Sequence, residues 1–295
     1  MGAGLVVRVR ETRGDRAFLY GSYAGLSVAA FLALFPLFYV VSVSITPFEE
    51  VLRHGGFVVF PRRITFSAYG QFLSRSTIPK AYAVTVYITL FGTLINMILT
   101  TLVAYPLSRS TLPGRRSLLV FILLPMVFTG GIIPTYIVVR SYGLLNTFWA
   151  MMLPGAIWTF NSIVMKTFFE RMEQSLFDAA TIDGAGEVAI LIRIVLPLSL
   201  PVMSTVGLFY GVAHWNEFFQ AIIYISDPGK LPLQPVLRNI LIGAEQTTVD
   251  SADITLPADT LKMAAVVLTA VPILLVYPFL QKHFTKGVLL GSVKG

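Results

Sequence analysis

The stretch Asp178–Pro197 reads DAATIDGAGEVAILIRIVLP, a polar, small-residue segment between two long apolar runs. Asp178 to Ile182 suits a short helix, on which Ala179 and Ala180 present side chains small enough for close backbone approach. Gly184 and Gly186 flank Ala185 and let the chain turn, because glycine accepts positive φ. Val188 to Leu196 then resumes an apolar helical pattern that includes Ile194, and Pro197 stops it or opens the next helix. Asp178 and Asp183 give the segment a polar face for a partner. The expected object is a helix–turn–helix knob, rigidly joined to the apolar runs on either side and able to carry a push into them. A bare D-x-x-x-x-D-G is better explained by an amphipathic connector lying at lipid headgroups. Ile194-x-Leu196-Pro197 at its fixed offset is what separates the two.

The flanking runs decide the class. The 295-residue chain is 55% hydrophobic and 13% charged, with a mean hydropathy of +0.76, outside the range of soluble globular domains. Phe18–Thr46, Ala81–Ser108, Ser117–Val139, Ser141–Met165 and Met263–Gln281 contain no Asp, Glu, Lys or Arg. Ile194–Ser226 is interrupted only by His214 and Glu217. About 20 apolar residues rising about 1.5 Å each cross a hydrocarbon core of about 30 Å, so all six runs qualify. The expectation is an all-α membrane protein in which residues 1–295 form a single transmembrane domain. Its six transmembrane helices span about 18–46, 81–108, 117–139, 141–166, 198–226 and 263–282, with the knob in a loop over 171–197.

The first run follows Arg8, Arg10, Arg13 and Arg16, but at 29 residues it is too long for a cleaved signal core and reads as an anchor. A barrel is excluded because alternating strands of about ten residues are absent. With the N-terminus inside, 13 of the 22 Lys and Arg fall inside and nine outside. That is a modest positive-inside bias, and an even number of spans returns the C-terminus to the same side. The net charge of +7 then reads as topology and headgroup contact, not as nucleic-acid binding. The lack of cysteine removes disulfide and thiolate chemistry. Pro36, Pro106, Pro125, Pro134, Pro154, Pro201 and Pro272 lie within the runs, where each kinks or ends a helix or is an ordinary occupant of one.

The pattern D-A-A-x-x-x-G, then nine residues, then I-x-L-P resembles the cytoplasmic coupling loop of bacterial ATP-binding-cassette (ABC) importers. One position departs: the family's usual Glu is here Asp178, which keeps the charge and shortens the reach by one methylene. The likeness continues in order along the chain. His214-Trp215-Asn216-Glu217-Phe218 with Pro232-Leu233, then Ala264-Ala265-Val266 with Pro272, then Lys286 to Gly295 are similar to the fifth helix and outer loop, last helix and tail of maltose-type sugar permeases. Thr129 to Tyr136, TGGIIPTY, resembles a subgroup serving complex oligosaccharides, including the bacterial alginate importer.

The resemblance implies the type I ABC-importer permease fold with a cytoplasmic coupling helix. It also implies a machine in which two homologous permeases pair above an ATPase dimer, while a periplasmic or lipid-anchored solute-binding protein delivers an oligosaccharide. The place implied is the bacterial cytoplasmic (inner) membrane, among lipid, with both termini cytoplasmic. Asp178, Ala179, Ala180, Asp183, Gly184, Ala185, Gly186, Ile194, Leu196 and Pro197 would couple to the ATPase. In the tail, Gly287, Gly291, Lys294 and Gly295 would lie against it, and the outer loop Asp227–Lys262 would reach into the binding protein. ATP and Mg would be bound by the partner ATPase, leaving this chain with no cofactor.

Sugars are held by aromatic faces and by amide or hydroxyl groups, and transporter sites sit near mid-membrane. The candidates for the substrate path are Asn96, Tyr136, Trp158, Asn161, Tyr210, Trp215, Asn216 and Glu217. A carboxylate at a span centre costs about 2.5–3.5 kcal/mol on the insertion scale, so Glu217 should face a wet cavity, a partner or the outer interface. Plainer readings stand beside these: Trp158 and Trp215 in interfacial belts, Asn96 and Asn161 bonding between helices. In the maltose-type family the sugar is held chiefly by the other permease, which leaves this chain lining the path. Arg53, Arg62, Arg63, Arg75 and Lys80 share one outer stretch opposed only by Glu49 and Glu50. Such a surface favours an acidic cargo, such as alginate or other uronate oligomers, or an acidic patch on the binding protein.

Two rivals differ in class. An ion-coupled secondary carrier needs ionisable groups inside its spans, and Glu217 is the one Asp or Glu there. A membrane-embedded enzyme needs a constellation, but His54, His214 and His283 are scattered without metal-ligand spacing. No G-x-S-x-G elbow and no Walker phosphate loop occur, so no catalytic or metal residue is expected and the chain is not the ATPase.

Overall fold

The computed structural model describes residues 13–74, 77–239, 242 and 260–275, and among these every regular element is helical. Among the described residues, two helices are each long and apolar enough to cross a bilayer alone: Arg13–Ser44 and Thr77–Ser108, 32 residues apiece. Two further candidate spans are pairs of helices bent at a break. Arg115–Val127 and Ile132–Ser141 meet at 116°, and Glu187–Leu198 and Leu200–Trp215 meet at 83°. Thr260–Leu275 is a shorter apolar helix.

The runs read from sequence at 117–139 and 141–166 are therefore not single rods. The first opens at Phe128, which is extended, and resumes after Gly131, whose φ of 80° is a conformation that a side chain opposes. Pro134 follows in the first turn of the new helix, where its missing N–H leaves no intrahelical bond unmade. Thr135 Oγ1 closes that turn by donating to Gly131 O at 2.8 Å. The second run divides into Trp149–Met152 and Thr159–Glu170, with Pro154 between them.

Contacts group the chain into two compact units, Met1–Gly70 with Thr255–Val267, and Gln71–Ile254 with Leu268–Gly295. In the first, helix Arg13–Ser44 is exposed from residue 13 through residue 38 and buried only at its C-terminal end. There Val43 packs with Val51, Val58, Tyr39 and Met263. Ser42 Oγ donates to Val59 O at 2.6 Å and Tyr39 OH to Gly56 O at 2.8 Å, fastening the following loop to the helix end. An apolar helix left this bare is a surface for lipid or for another chain.

In the second unit Thr77–Ser108 is the central rod, packed against Leu200–Trp215 and Thr159–Glu170. Their shared core includes Ala104, Tyr105, Met165, Phe169, Val202, Val206 and Tyr210. Phe177, Ala180, Ile190 and Val195 belong to the same core. The base of the knob is thus built into the helix bundle.

Candidate functional site

The knob helix runs Gln174–Ile182, starting four residues before the sequence pattern suggested. Phe177 and Ala180, three residues apart and so on one face, are buried, while Asp178, Ala179, Ile182 and Asp183 are exposed. Gln174 Nε2 donates to Asp178 Oδ1 at 3.0 Å along the outer face. The helix ends in a Schellman turn: Ala185 N–H donates to Ala180 O at 2.9 Å and Gly184 N–H to Thr181 O at 3.0 Å. Gly184 has φ 81°, which costs an L-residue about 1–2 kcal/mol, so glycine is required by this geometry.

Beyond Gly186 the chain is helical over Glu187–Ile190, widens into a π turn over Leu191–Val195, and tightens again at Leu196–Leu198. Pro197 lies inside that last turn, and the 83° break comes two residues later at Ser199. A π turn just ahead of a proline is a place where a helix accommodates the missing donor. Ile194 packs against the core, whereas Pro197 is exposed.

The knob is gripped from the side. Tyr105 OH donates to Glu187 Oε2 at 2.5 Å, and Arg109 Nη2 stands 3.5 Å from Glu187 Oε1. The Arg109 guanidinium also lies 4.2 Å from the centroid of the Phe177 ring, within cation–π range. Tyr105 and Arg109 are one turn apart at the end of the Thr77–Ser108 rod, and the Tyr105 ring meets Phe169 edge-on at 6.4 Å. Beside this clamp lies a polar cavity of about 340 Å³, lined by Ser108, Arg109, Thr111, Arg115, Glu170 and Gln174, among others. Glu170 pairs there with Arg115 and, at 2.8 Å, with Lys166. Arg115 Nε donates to Leu107 O at 2.8 Å.

The eight path candidates fall in separate places. Asn96 is buried and its Nδ2 donates to His214 Nε2 at 3.1 Å. Tyr210 is fully buried; its OH accepts the Trp158 backbone N–H at 2.9 Å and shares a hydrogen bond with Thr100 Oγ1 at 2.8 Å. The Trp158 and Tyr210 rings lie 5.1 Å apart. Asn161 is buried with neither amide atom partnered. Tyr136 stacks on Tyr224 at 6.2 Å. Trp215 Nε1 donates to Thr269 O at 3.0 Å, and its ring meets Tyr82 edge-on at 5.6 Å. Asn216 is exposed and accepts at Oδ1 from Gln234 Nε2 at 3.4 Å. Half-buried Glu217 accepts the Gln220 N–H at 3.0 Å, capping the short helix Phe219–Tyr224. A groove of about 660 Å³ runs along Leu90, Thr93, Met97, Gly207, Gly211 and Trp215. Its lining is mainly apolar, a seat for hydrocarbon or a helix more than for sugar. The tail residues Gly287, Gly291, Lys294 and Gly295 lie outside the described residues.

Sequence reasoning missed Tyr105, Arg109, Phe177 and Glu187, because contacts across 68, 78 and 82 positions leave no local spacing. It also missed Ile182, which is 86% exposed at the apex of the knob. A signal did exist there: Ile182 is out of phase with the Phe177–Ala180 face, and a large apolar side chain on the polar side of a helix asks for a partner.

Three comparisons bear on this arrangement. A family model described as "Binding-protein-dependent transport system inner membrane component" matches residues 99–290. The chain is 43% identical over 285 residues to the polygalacturonan/rhamnogalacturonan transport system permease protein YtcP of Bacillus subtilis, covering 95% of this chain and 99% of that one. It is 41% identical to protein LplC of the same organism, covering 97% and 98%. Among solved structures it resembles a bacterial ABC transporter involved in the import of the acidic polysaccharide alginate. There the TM-score is 0.85 at 32% identity, over 92% of this chain and 98% of that chain.

Proposed function

We propose a function from one premise: the chain belongs to the family of inner membrane components of binding-protein-dependent transport systems. It is a permease subunit of a sugar ABC importer, has the all-α type I permease fold, and acts with a second permease, an ATPase pair and a solute-binding protein. Our finer reading is that the chain performs no chemistry. The exposed apex of the knob docks on the ATPase, which alone binds ATP and Mg, and closure of the ATPase reverses access to the path. The observation that carries this is a knob whose base, Phe177 and Ala180, is locked in the bundle core while Ile182 and Asp183 project outward. Six spans in one transmembrane domain with both termini cytoplasmic is the topology that puts this knob inside.

For cargo we assign an acidic oligosaccharide built from uronic acids. Support comes from the pectin-type name of the 43%-identical relative, from the alginate importer, and from the basic stretch Arg53, Arg62 and Arg63. The ion-coupled carrier is disfavoured because Glu217 is already tied to the backbone of Gln220. The test is uptake into proteoliposomes holding the complete importer. Oligogalacturonate should enter only with ATP, regardless of a proton uncoupler, and faster than a neutral oligosaccharide of equal length at low salt. Uptake that survives ATP withdrawal but stops with the uncoupler would overturn the importer mechanism. Equal rates for acidic and neutral sugars would remove the acidic assignment.

A further inference from the structure

We infer that Tyr105 and Arg109 carry the stroke of the knob sideways into the Thr77–Ser108 rod, through Glu187 and Phe177; this rests on the knob being the ATPase dock. Along its own chain the knob is poorly placed to transmit a thrust. On the exit side the backbone passes through a π turn at Leu191–Val195 and an 83° break at Ser199 before the Leu200–Trp215 helix begins. On the approach side a short turn over Arg171–Glu173 separates it from Thr159–Glu170. Breaks of this kind absorb displacement.

The side-chain clamp bypasses both breaks. Phe177 precedes the Gly184 turn and Glu187 follows it, and the two are held by Tyr105 in the last turn of the Thr77–Ser108 helix and by Arg109 immediately after its end. Force on the apex from either direction therefore loads the Thr77–Ser108 rod. Tyr105 is nine residues from Asn96, about 14 Å along the helix, and Asn96 and Thr100 are where this rod holds His214 and Tyr210. A shift of the knob thus reaches the buried polar contacts of the Leu200–Trp215 helix without travelling through Ser199. Glu187 suits a switching contact: its side chain is 62% exposed, so its bonds can break and re-form in water, while Arg109 is 18% exposed and stays seated.

The test uses the assembled importer in proteoliposomes, with Tyr105→Phe, Glu187→Ala and the double variant, reading ATP hydrolysed per sugar imported. Losing one hydrogen bond to a charged group corresponds to about a tenfold change in an equilibrium, so the ratio should rise about tenfold in each single variant. The double variant should be no worse than Glu187→Ala alone, because that change already removes the bond that Tyr105→Phe removes. Glu187→Ala covers the case in which Tyr105→Phe disturbs packing, since Glu187 is exposed. Hydrolysis and import falling together at an unchanged ratio would overturn the inference, as would a native ratio in both variants. Ile182→Lys separates the two levels. If it leaves ATP-driven import normal, the docking reading itself fails; if it abolishes import while the clamp variants keep the native ratio, only the sideways route fails.

Discussion

Gly92 sits mid-helix in Thr77–Ser108, directly beneath the His214 ring. A Cβ added at this position would stand 2.6 Å from His214 Nε2, 2.8 Å from Cε1 and 2.9 Å from Cδ2. Comfortable contacts between such atoms are about 3.5–4.0 Å, so Gly92→Ala requires the ring to retreat by about 1 Å. The ring is 7% exposed and has little room to do so. Forcing extra atoms into a packed interior costs about 1–3 kcal/mol. The retreat also breaks the 3.1 Å bond from Asn96 Nδ2, leaving Asn96, whose Oδ1 is already unpartnered, with no bond at all. That adds about 1–3 kcal/mol, and the better helix propensity of alanine returns about 1. The net expectation is a loss of about 1–5 kcal/mol, read by SDS titration of the purified protein in mixed micelles. In a His214→Ala background the same Gly92→Ala change should be neutral or stabilising by up to about 1 kcal/mol. Equal effects in both backgrounds would show that the ring does not occupy this place and would refute the reasoning.

Three further outcomes follow from the same structure. Gly184→Pro cannot adopt φ 81° or donate to Thr181 O, so it should abolish ATP-driven uptake while membrane insertion persists; normal uptake would remove the turn from the mechanism. Tyr210→Phe strips the acceptor from the Trp158 N–H and the partner from Thr100, and should destabilise the protein by about 1–3 kcal/mol in the same titration. No change would mean that water replaces the hydroxyl. Asn161→Leu removes two unpartnered buried amide atoms, each worth about 1–3 kcal/mol of desolvation, and should raise stability; a loss would reveal a partner for the amide.

The fold class was legible because it rests on composition, and composition survives any local rearrangement. Where the apolar runs break was not. Pro36 and Pro106 lie inside intact helices, while the runs break at Phe128–Gly131 and at Ser199. Proline in the first turn of a helix loses nothing, so Pro134 and Pro201 mark restarts, and hydropathy alone cannot separate the two situations. Thr129-Gly130-Gly131 did carry the signal, as a positive-φ position between two apolar helices. The knob was legible for a related reason: its turn is a local Schellman motif, and Gly184 is demanded by a backbone angle that neighbouring residues also encode. Its clamp depends on side chains about 80 positions apart and had no such trace.

The path candidates show a deeper limit, set by the solvent. In hydrocarbon an unpaired polar group is costly, so neighbouring helices have the first claim on every Asn, Tyr and Thr within a span. Asn96 is taken by His214, and Tyr210 by Thr100 and Trp158, before any sugar arrives. Residue type therefore counts polar atoms but not the ones left over. Among the described residues, the atoms that remain include Asn96 Oδ1, both ends of the Asn161 amide, and the hydroxyls of Thr89, Thr93 and Ser199, and these have capacity to accept or donate during a conformational change. Thr93 borders a groove that is otherwise mainly apolar, but its Oγ1 is buried, so it can serve only a neighbouring helix and not a hydrated sugar. Polar residues in these spans serve first as interhelical fasteners.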